Sequence, residues 1–261
     1  MKKYVTISAI AILLISTIAM ATPFVIPSSD VAKDATTAQD KSPVIGEDWS
    51  LENPKITVDW TTGEARADFI HYKEPKASNK QAKASTCYKT FAKWPGTPVT
   101  YNVNPTNSQA LDETFVISAI SASAEAWDDA TVSELFDPYV LDPTAQYGVR
   151  DNKNSIDFGV ISDSNTIAVT SIWYNFFTKQ IFETDMRFNT LYTWGDVSVS
   201  GSTVMDLQNI GTHEFGHVGG MDDIYKPPCG QVTMYGYSGY GDISKRSLEA
   251  PDIAGIRSLY G

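Results

Sequence analysis

Five consecutive residues constrain this chain more than anything else in it: His213-Glu214-Phe215-Gly216-His217. Two imidazoles four residues apart fall on one helical face, a turn from each other, so their ring nitrogens can converge on one ion. Glu214 stands beside the first imidazole, close to the ion without binding it, where it can take a proton from activated water. The chain has only 3 His, and two of them fall here. A helix carrying these side chains by accident fits the local sequence poorly. Gly211, Gly216 and Gly219 would each cost ~0.5–1 kcal/mol relative to Ala in a helix interior. Something beyond propensity must hold the segment, and close packing with a bound metal would do so.

The continuation is Val218-Gly219-Gly220-Met221-Asp222-Asp223. Gly220 can take positive φ, end the helix and reverse the chain, which brings Asp223 back as a third ligand. Two imidazoles, one carboxylate and a vacant fourth position are what a catalytic zinc site requires. Asp222 is the competing third ligand, with a capping or hydrogen-bonding role as its alternative.

This stretch resembles the extended zinc motif of the metzincin metallopeptidases, whose usual third ligand is His. Asp at that position resembles the small snapalysin-like branch. Thr233-Met234-Tyr235 follows at the interval of the family's Met-containing turn, so the resemblance places Met234 beneath the metal. Ile181 to Asn189 with Trp194, Pro251 to Ile256 with Leu259-Tyr260-Gly261, and Trp94-Pro95-Gly96 with Val99-Thr100-Tyr101 resemble segments of the matrixin-like branch. The resemblance covers roughly 87–261. It implies an α+β fold, in which a small mixed twisted sheet carries an active-site helix and a C-terminal helix. It also implies a zinc endopeptidase acting on proteins or peptides, with one catalytic Zn2+ on His213, His217 and Asp223 and Glu214 as general base. An extended substrate would add to a sheet edge near 180–189 or on the strand before it. Tyr235 and Tyr237 are the expected walls of a substrate pocket; the position where some relatives carry an oxyanion-stabilising tyrosine is Gly236 here. Matrixin-like domains often bind Ca2+, for which Asp128, Asp129, Glu134, Asp137, Asp142 and Asp151 are candidates. Their spacing matches no EF-hand, and a solvated acidic surface is the competing account. Asp185 and Asn189 are expected to bond backbone.

The pattern along the chain agrees with that fold class. Val99, Tyr101 and Val103 alternate as a strand, and 108–129 has helical spacing with Val116, Ile120, Ala124 and Trp127 on one face. Strand patterns follow at 155–161, 166–174 and 180–188, then helices at 203–219 and 251–259. Helix, strands and then helices argue for α+β.

Residues 1–21 read as a secretory signal, with Lys2 and Lys3, an apolar run and Ala19-Met20-Ala21. The product is then secreted or extracellular, and membrane-attached only if this segment stays uncleaved. Residues 22–86 read as a poorly packed spacer or propeptide-like region with a hairpin at 55–72, and a catalytic domain spans 87–261. His71 falls in the spacer and is expected to be an ordinary exposed or half-buried residue. Export favours a disulfide between Cys87 and Cys229. The competing reading has the Cys87 thiolate on the metal in a latent form, although Ser85-Thr86-Cys87-Tyr88 lacks the pattern that surrounds such a cysteine in matrixins. A formal net charge of −11 argues against nucleic acid. Two further functional readings stand beside the endopeptidase: a non-catalytic secreted binding module with a structural zinc, and a peptidase that processes only itself.

Overall fold

The computed structural model describes residues 54–73 and 87–261, so the segment read as a signal lies outside the described residues. Along the chain these form β1 (Lys55–Asp59), β2 (Glu64–Lys73), β3 (Asn102–Val103), α1 (Glu113–Asp128), β4 (Val140–Leu141), β5 (Ser155–Gly159), β6 (Thr166–Asn175) and β7 (Ile181–Asn189). Then follow β8 (Trp194–Gly195), α2 (Val197–Ser200), β9 (Met205–Asp206), α3 (Leu207–Val218), β10 (Tyr237–Ser238) and α4 (Ala250–Tyr260). No helix among the described residues is long and apolar enough to cross a membrane.

The main sheet runs β1-β2-β6-β7-β5-β3-β4, and β10 joins β2. Pairing is parallel from β4 through β3 and β5 to β7, then antiparallel through β6 and β2 to β1. The architecture is the α+β arrangement expected from the sequence, with a mixed sheet. β6 is buried along nearly its whole length, as an inner strand's apolar run requires. β7 is also interior, flanked by β6 and β5. The suggestion that a substrate pairs along 180–189 is therefore corrected, because that strand has no free edge.

The hairpin expected at 55–72 forms, but a poorly packed setting for it is corrected too. β2 pairs with β6 over almost its full length, from Glu64 opposite Asn175 to Tyr72 opposite Thr166. Its alternation puts Ala65, Ala67, Phe69 and His71 on the buried face. Period-two patterning was legible in this segment; its pairing partner, about a hundred residues away, was not.

α1 starts at Asp112, whose carboxylate accepts from Phe115 N, and packs its buried face against α3. The helices touch closely: Trp127 Nε1 donates to Thr212 O at 2.7 Å. A Cβ on Gly216 would stand 2.2 Å from Met234 Sδ and 2.6 Å from Trp127 Cζ2. The glycine that weakens α3 as an isolated helix is thus what lets the Met234 turn and α1 approach it. Asp185 and Asn189 bond backbone as expected: Asp185 accepts from Gly148 N and Ser155 N, and Asn189 accepts from Ile161 N and donates to Thr166 O. Cys87 and Cys229 form a disulfide 142 residues apart, which removes the Cys87 thiolate as a metal ligand.

Two stability changes follow. Gly216→Ala overpacks the α1–α3–Met234 contact and lowers unfolding free energy by about 1–3 kcal/mol in chemical denaturation; a change within experimental error would contradict the packing described. Replacing both cysteines with Ala lowers stability by up to about 4–5 kcal/mol on the chain-entropy account of so long a loop. An unchanged denaturation midpoint would show that the crosslink constrains little.

Candidate metal centre

α3 begins at Asp206, whose side chain accepts from Asn209 N at 2.9 Å, and its last turns carry His213, Glu214 and His217, all fully buried. Gly220 closes it at φ 94°, and a Cβ there would lie 2.1 Å from Ala92 O. Only glycine fits both that backbone and that approach. The reversal returns the chain so that Asp223 reaches the imidazoles.

Each imidazole is held by its Nδ1. His213 Nδ1 lies 2.7 Å from Thr233 O, and His217 Nδ1 lies 3.0 Å from Met221 O. A carbonyl only accepts, so each Nδ1 carries a proton and each Nε2, in the neutral ring that a metal would bind, points its lone pair into the cluster. Those Nε2 atoms face each other at 3.2 Å. Asp223 Oδ1 completes a triangle at 3.2 Å from His213 Nε2 and 3.6 Å from His217 Nε2. Ligands about 2.0–2.1 Å from a tetrahedral zinc lie about 3.3–3.4 Å apart, so the donor set fits that ion. Asp223 Oδ1 is buried without a hydrogen-bond partner, and Tyr225 OH donates to its Oδ2 at 3.0 Å. Asp222 is engaged otherwise: its Oδ1 accepts from Asp223 N and its Oδ2 pairs with Lys89 Nζ at 2.6 Å. Among the described residues, groups with three convergent donors are His213–His217–Asp223 and His71–His213–Glu214.

The electrostatics follow from burial and this crowding. Burial raises the Asp223 carboxyl, but the imidazoles beside it outweigh burial and hold it well below the ordinary carboxylate range. Burial pushes His213 down to about 4. It also opposes a charge on His217, where Asp223 overrides it and raises the group to about 9. Burial lifts Glu214 to about 7. Glu214 Oε2 accepts from Thr170 Oγ1 at 2.5 Å, while Oε1 makes no hydrogen bond.

Below the cluster, the Met234 turn is fixed by Asp252, which accepts from Thr233 N and Met234 N. Lys245 Nζ, buried, donates to Thr233 O at 2.9 Å and to Tyr235 O. It thereby helps hold the carbonyl that orients His213. Tyr235 is buried with Cys87, Cys229, Ile224 and Val232, and Tyr237 packs against that group. The acidic residues considered for calcium are spread over other work. Asp128 accepts from Leu135 N and Phe136 N, Asp137 from Thr100 Oγ1, and Asp142 pairs with Lys153.

His71 is where the sequence reading went wrong. It is fully buried, its ring centroid is 3.9 Å from that of His213, and its Nδ1 is 3.3 Å from Glu214 Oε1. An imidazole on the apolar face of an alternating strand, in a chain so poor in histidine, was the available signal. Thr170, Tyr225 and Lys245 gave none, because their roles depend on tertiary neighbours.

A helix presenting two imidazoles, a reversal supplying a carboxylate, a buried glutamate and an underlying methionine turn define the centre of a metzincin-type metallopeptidase domain. The sequence profile of the matrixins matches residues 93–261. A hatching enzyme of Paracentrotus lividus is 30% identical over 171 residues, covering 63% of this chain and 25% of that protein. The chain therefore spans only part of that relative's length. It belongs to the matrixin family and carries a zinc-metalloendopeptidase domain.

The two adjacent aspartates separate by metal analysis. Asp223→Ala weakens zinc binding by more than the roughly 10–100-fold that loss of an outer hydrogen-bond partner produces. Asp222→Asn retains one zinc per chain. The reverse pattern in metal titrations would reassign the third ligand.

Proposed function

We propose that this chain is a secreted endopeptidase that cleaves proteins or peptides with His213, His217 and Asp223 as zinc ligands and Glu214 as general base. The observation that carries the reading is the buried triangle of two convergent Nε2 atoms and one partnerless carboxylate oxygen beside a second partnerless carboxylate oxygen on Glu214. Zinc bound there supplies a Lewis acid that polarises a peptide carbonyl and makes water acidic near neutral pH.

The chain's own groups do the rest. Glu214 Oε1 accepts a proton from the attacking water and then delivers it to the leaving amine nitrogen. A pKa near 7 suits both halves of that exchange. Thr170 fixes the other carboxylate oxygen and so aims Oε1. Tyr225 does the same for Asp223. Once β2 is displaced, an extended substrate pairs antiparallel with the edge of β6, whose Thr170 reaches Glu214, and Tyr235 and Tyr237 wall its pocket. The apolar run at 5–20 and the disulfide support export. The calcium expected of the family is given no residues.

The test compares wild type with Glu214→Gln on casein. Because β2 lies over the ligands, both are assayed after the same limited tryptic digestion and separation of the N-terminal fragment. Lys76, Lys80 and Lys83 lie between β2 and Cys87. Wild type hydrolyses casein, a chelator abolishes this and zinc restores it. Glu214→Gln keeps its zinc and loses about 10²–10⁴-fold in rate. Equal turnover by the variant, or activity indifferent to chelator, would overturn the proposal and favour the non-catalytic module.

A further inference from the structure

Two turns at one end of the main sheet break the usual rule that tight turns are polar. β1 passes into β2 through Trp60, and β6 into β7 through Phe176 and Phe177. Trp60 is 53% exposed and Phe177 73%. The turns are joined, because Phe176 N donates to Gly63 O at 2.9 Å. The Trp60 and Phe176 rings meet edge to face at 5.2 Å, and Phe176 meets Phe177 the same way at 5.6 Å.

Both turns are pinned by their own polar groups. Asp59 accepts from Gly63 N with its carbonyl and from Thr61 N with its carboxylate, and Asn175 Oδ1 accepts from Phe177 N and Thr178 N. Gly63, at φ 74°, lets the Phe177 ring lie against its backbone; a Cβ there would stand 3.1 Å from Phe177 Cε2. The rings are thus presented by built turns. Ammonium groups sit beside them. Lys179 Nζ lies 4.8 Å from the Phe176 ring centroid, 4.9 Å from that of Tyr174 and 5.3 Å from that of Phe91. Lys93 N donates to Lys179 O, and the Lys93 ammonium lies over the Tyr260 ring. Among the described residues neither ammonium pairs with a carboxylate. The acids of the β1–β2 turn are engaged: Asp59 holds Thr61 N, and Glu64 pairs with Arg150.

We propose that these turns form an interfacial foot: Trp60, Phe176 and Phe177 enter the boundary between headgroups and acyl chains of a lipid bilayer, while Lys93 and Lys179 meet lipid phosphates.

Exposed aromatic rings flanked by lysines are the composition that settles at that boundary, and a contiguous exposed apolar patch marks an interaction site. Ring geometry selects lipid over a polysaccharide. A sugar chain stacks on ring faces lying side by side, whereas neighbouring rings here stand at 69° and 87° to each other and form no flat platform. Charge places the contact. A chain of net charge −11 is not drawn to phosphates as a whole, but the end with unpaired ammonium groups and engaged acids is. The export proposed above delivers the chain to a membrane's outer surface. The foot is also separate from the metal centre: Phe176 lies about 20 Å along the extended chain from Thr170, at about 3.3 Å per residue.

The test floats the exported chain, residues 22–261 with Glu214→Gln against self-cleavage, with vesicles of phosphatidylcholine and phosphatidylglycerol. The parent rises with the vesicles. Trp60→Ser with Phe177→Ser lowers the partition coefficient about 10-fold or more, and Lys93→Glu with Lys179→Glu also lowers it. Val199→Ser, at an apolar side chain 84% exposed on α2, leaves it unchanged. All variants take up zinc as the parent does, which reports an intact fold. A parent that stays unbound, or a parent and serine variant that float equally, would overturn the foot. So would a parent retained by chitin and not by vesicles, because the rings would then serve a glycan. A parent dimer that the serine substitutions break in sedimentation, with no vesicle binding, would assign the rings to a second copy instead. Each of these results leaves the peptidase reading to its own assay on casein.

Discussion

Two imidazole Nε2 atoms and a carboxylate oxygen, buried 3.2–3.6 Å from one another, demand a positive charge among them, a proton on His217 or a metal ion. Fixing both Nδ1 protons on backbone carbonyls creates that situation deliberately. Much of the fold serves to hold it. α3 presents the rings, the Gly220 reversal returns Asp223, and the Met234 turn supplies the Thr233 carbonyl. Asp252 and Lys245 pin that turn from below. A helix carrying three glycines survives because α1 and Met234 pack where side chains would otherwise be.

The same arrangement explains the division of labour among the carboxylates. Asp223 is ringed by imidazoles and stays ionised, whereas Glu214 is buried with a single hydroxyl donor and is lifted to about 7. Asp222, one residue away, is tied to Lys89 and to its neighbour's amide. Three acids within ten residues thus have three roles, set by what surrounds each one.

Some of this was legible in the sequence because the information is local. The 213–217 spacing, the Gly220 stop, the alternation in 155–161 and 180–188 and the β-branched and aromatic run 166–174 depend on neighbours in the chain. What was not legible depends on long-range pairing. Glu64–Lys73 reads as half of an isolated hairpin because nothing in it names β6 as partner, and His71 is therefore expected to be exposed or half-buried. Strand 180–189 reads as an edge from its resemblance to a matrixin-like segment, and its alternating Glu183, Asp185 and Arg187 do not contradict that. In the fold, Glu183 binds Arg150 and the 151–152 backbone, Asp185 binds backbone amides, and Arg187 pairs with Asp157.

X-ray absorption at the zinc edge on the purified full-length chain measures the central arrangement directly. It should find one zinc per chain in a shell of nitrogen and oxygen donors at about 2.0–2.1 Å, with imidazole scattering beyond it. A sulfur donor at about 2.3 Å, or a chain that purifies without zinc and takes none up, would contradict it.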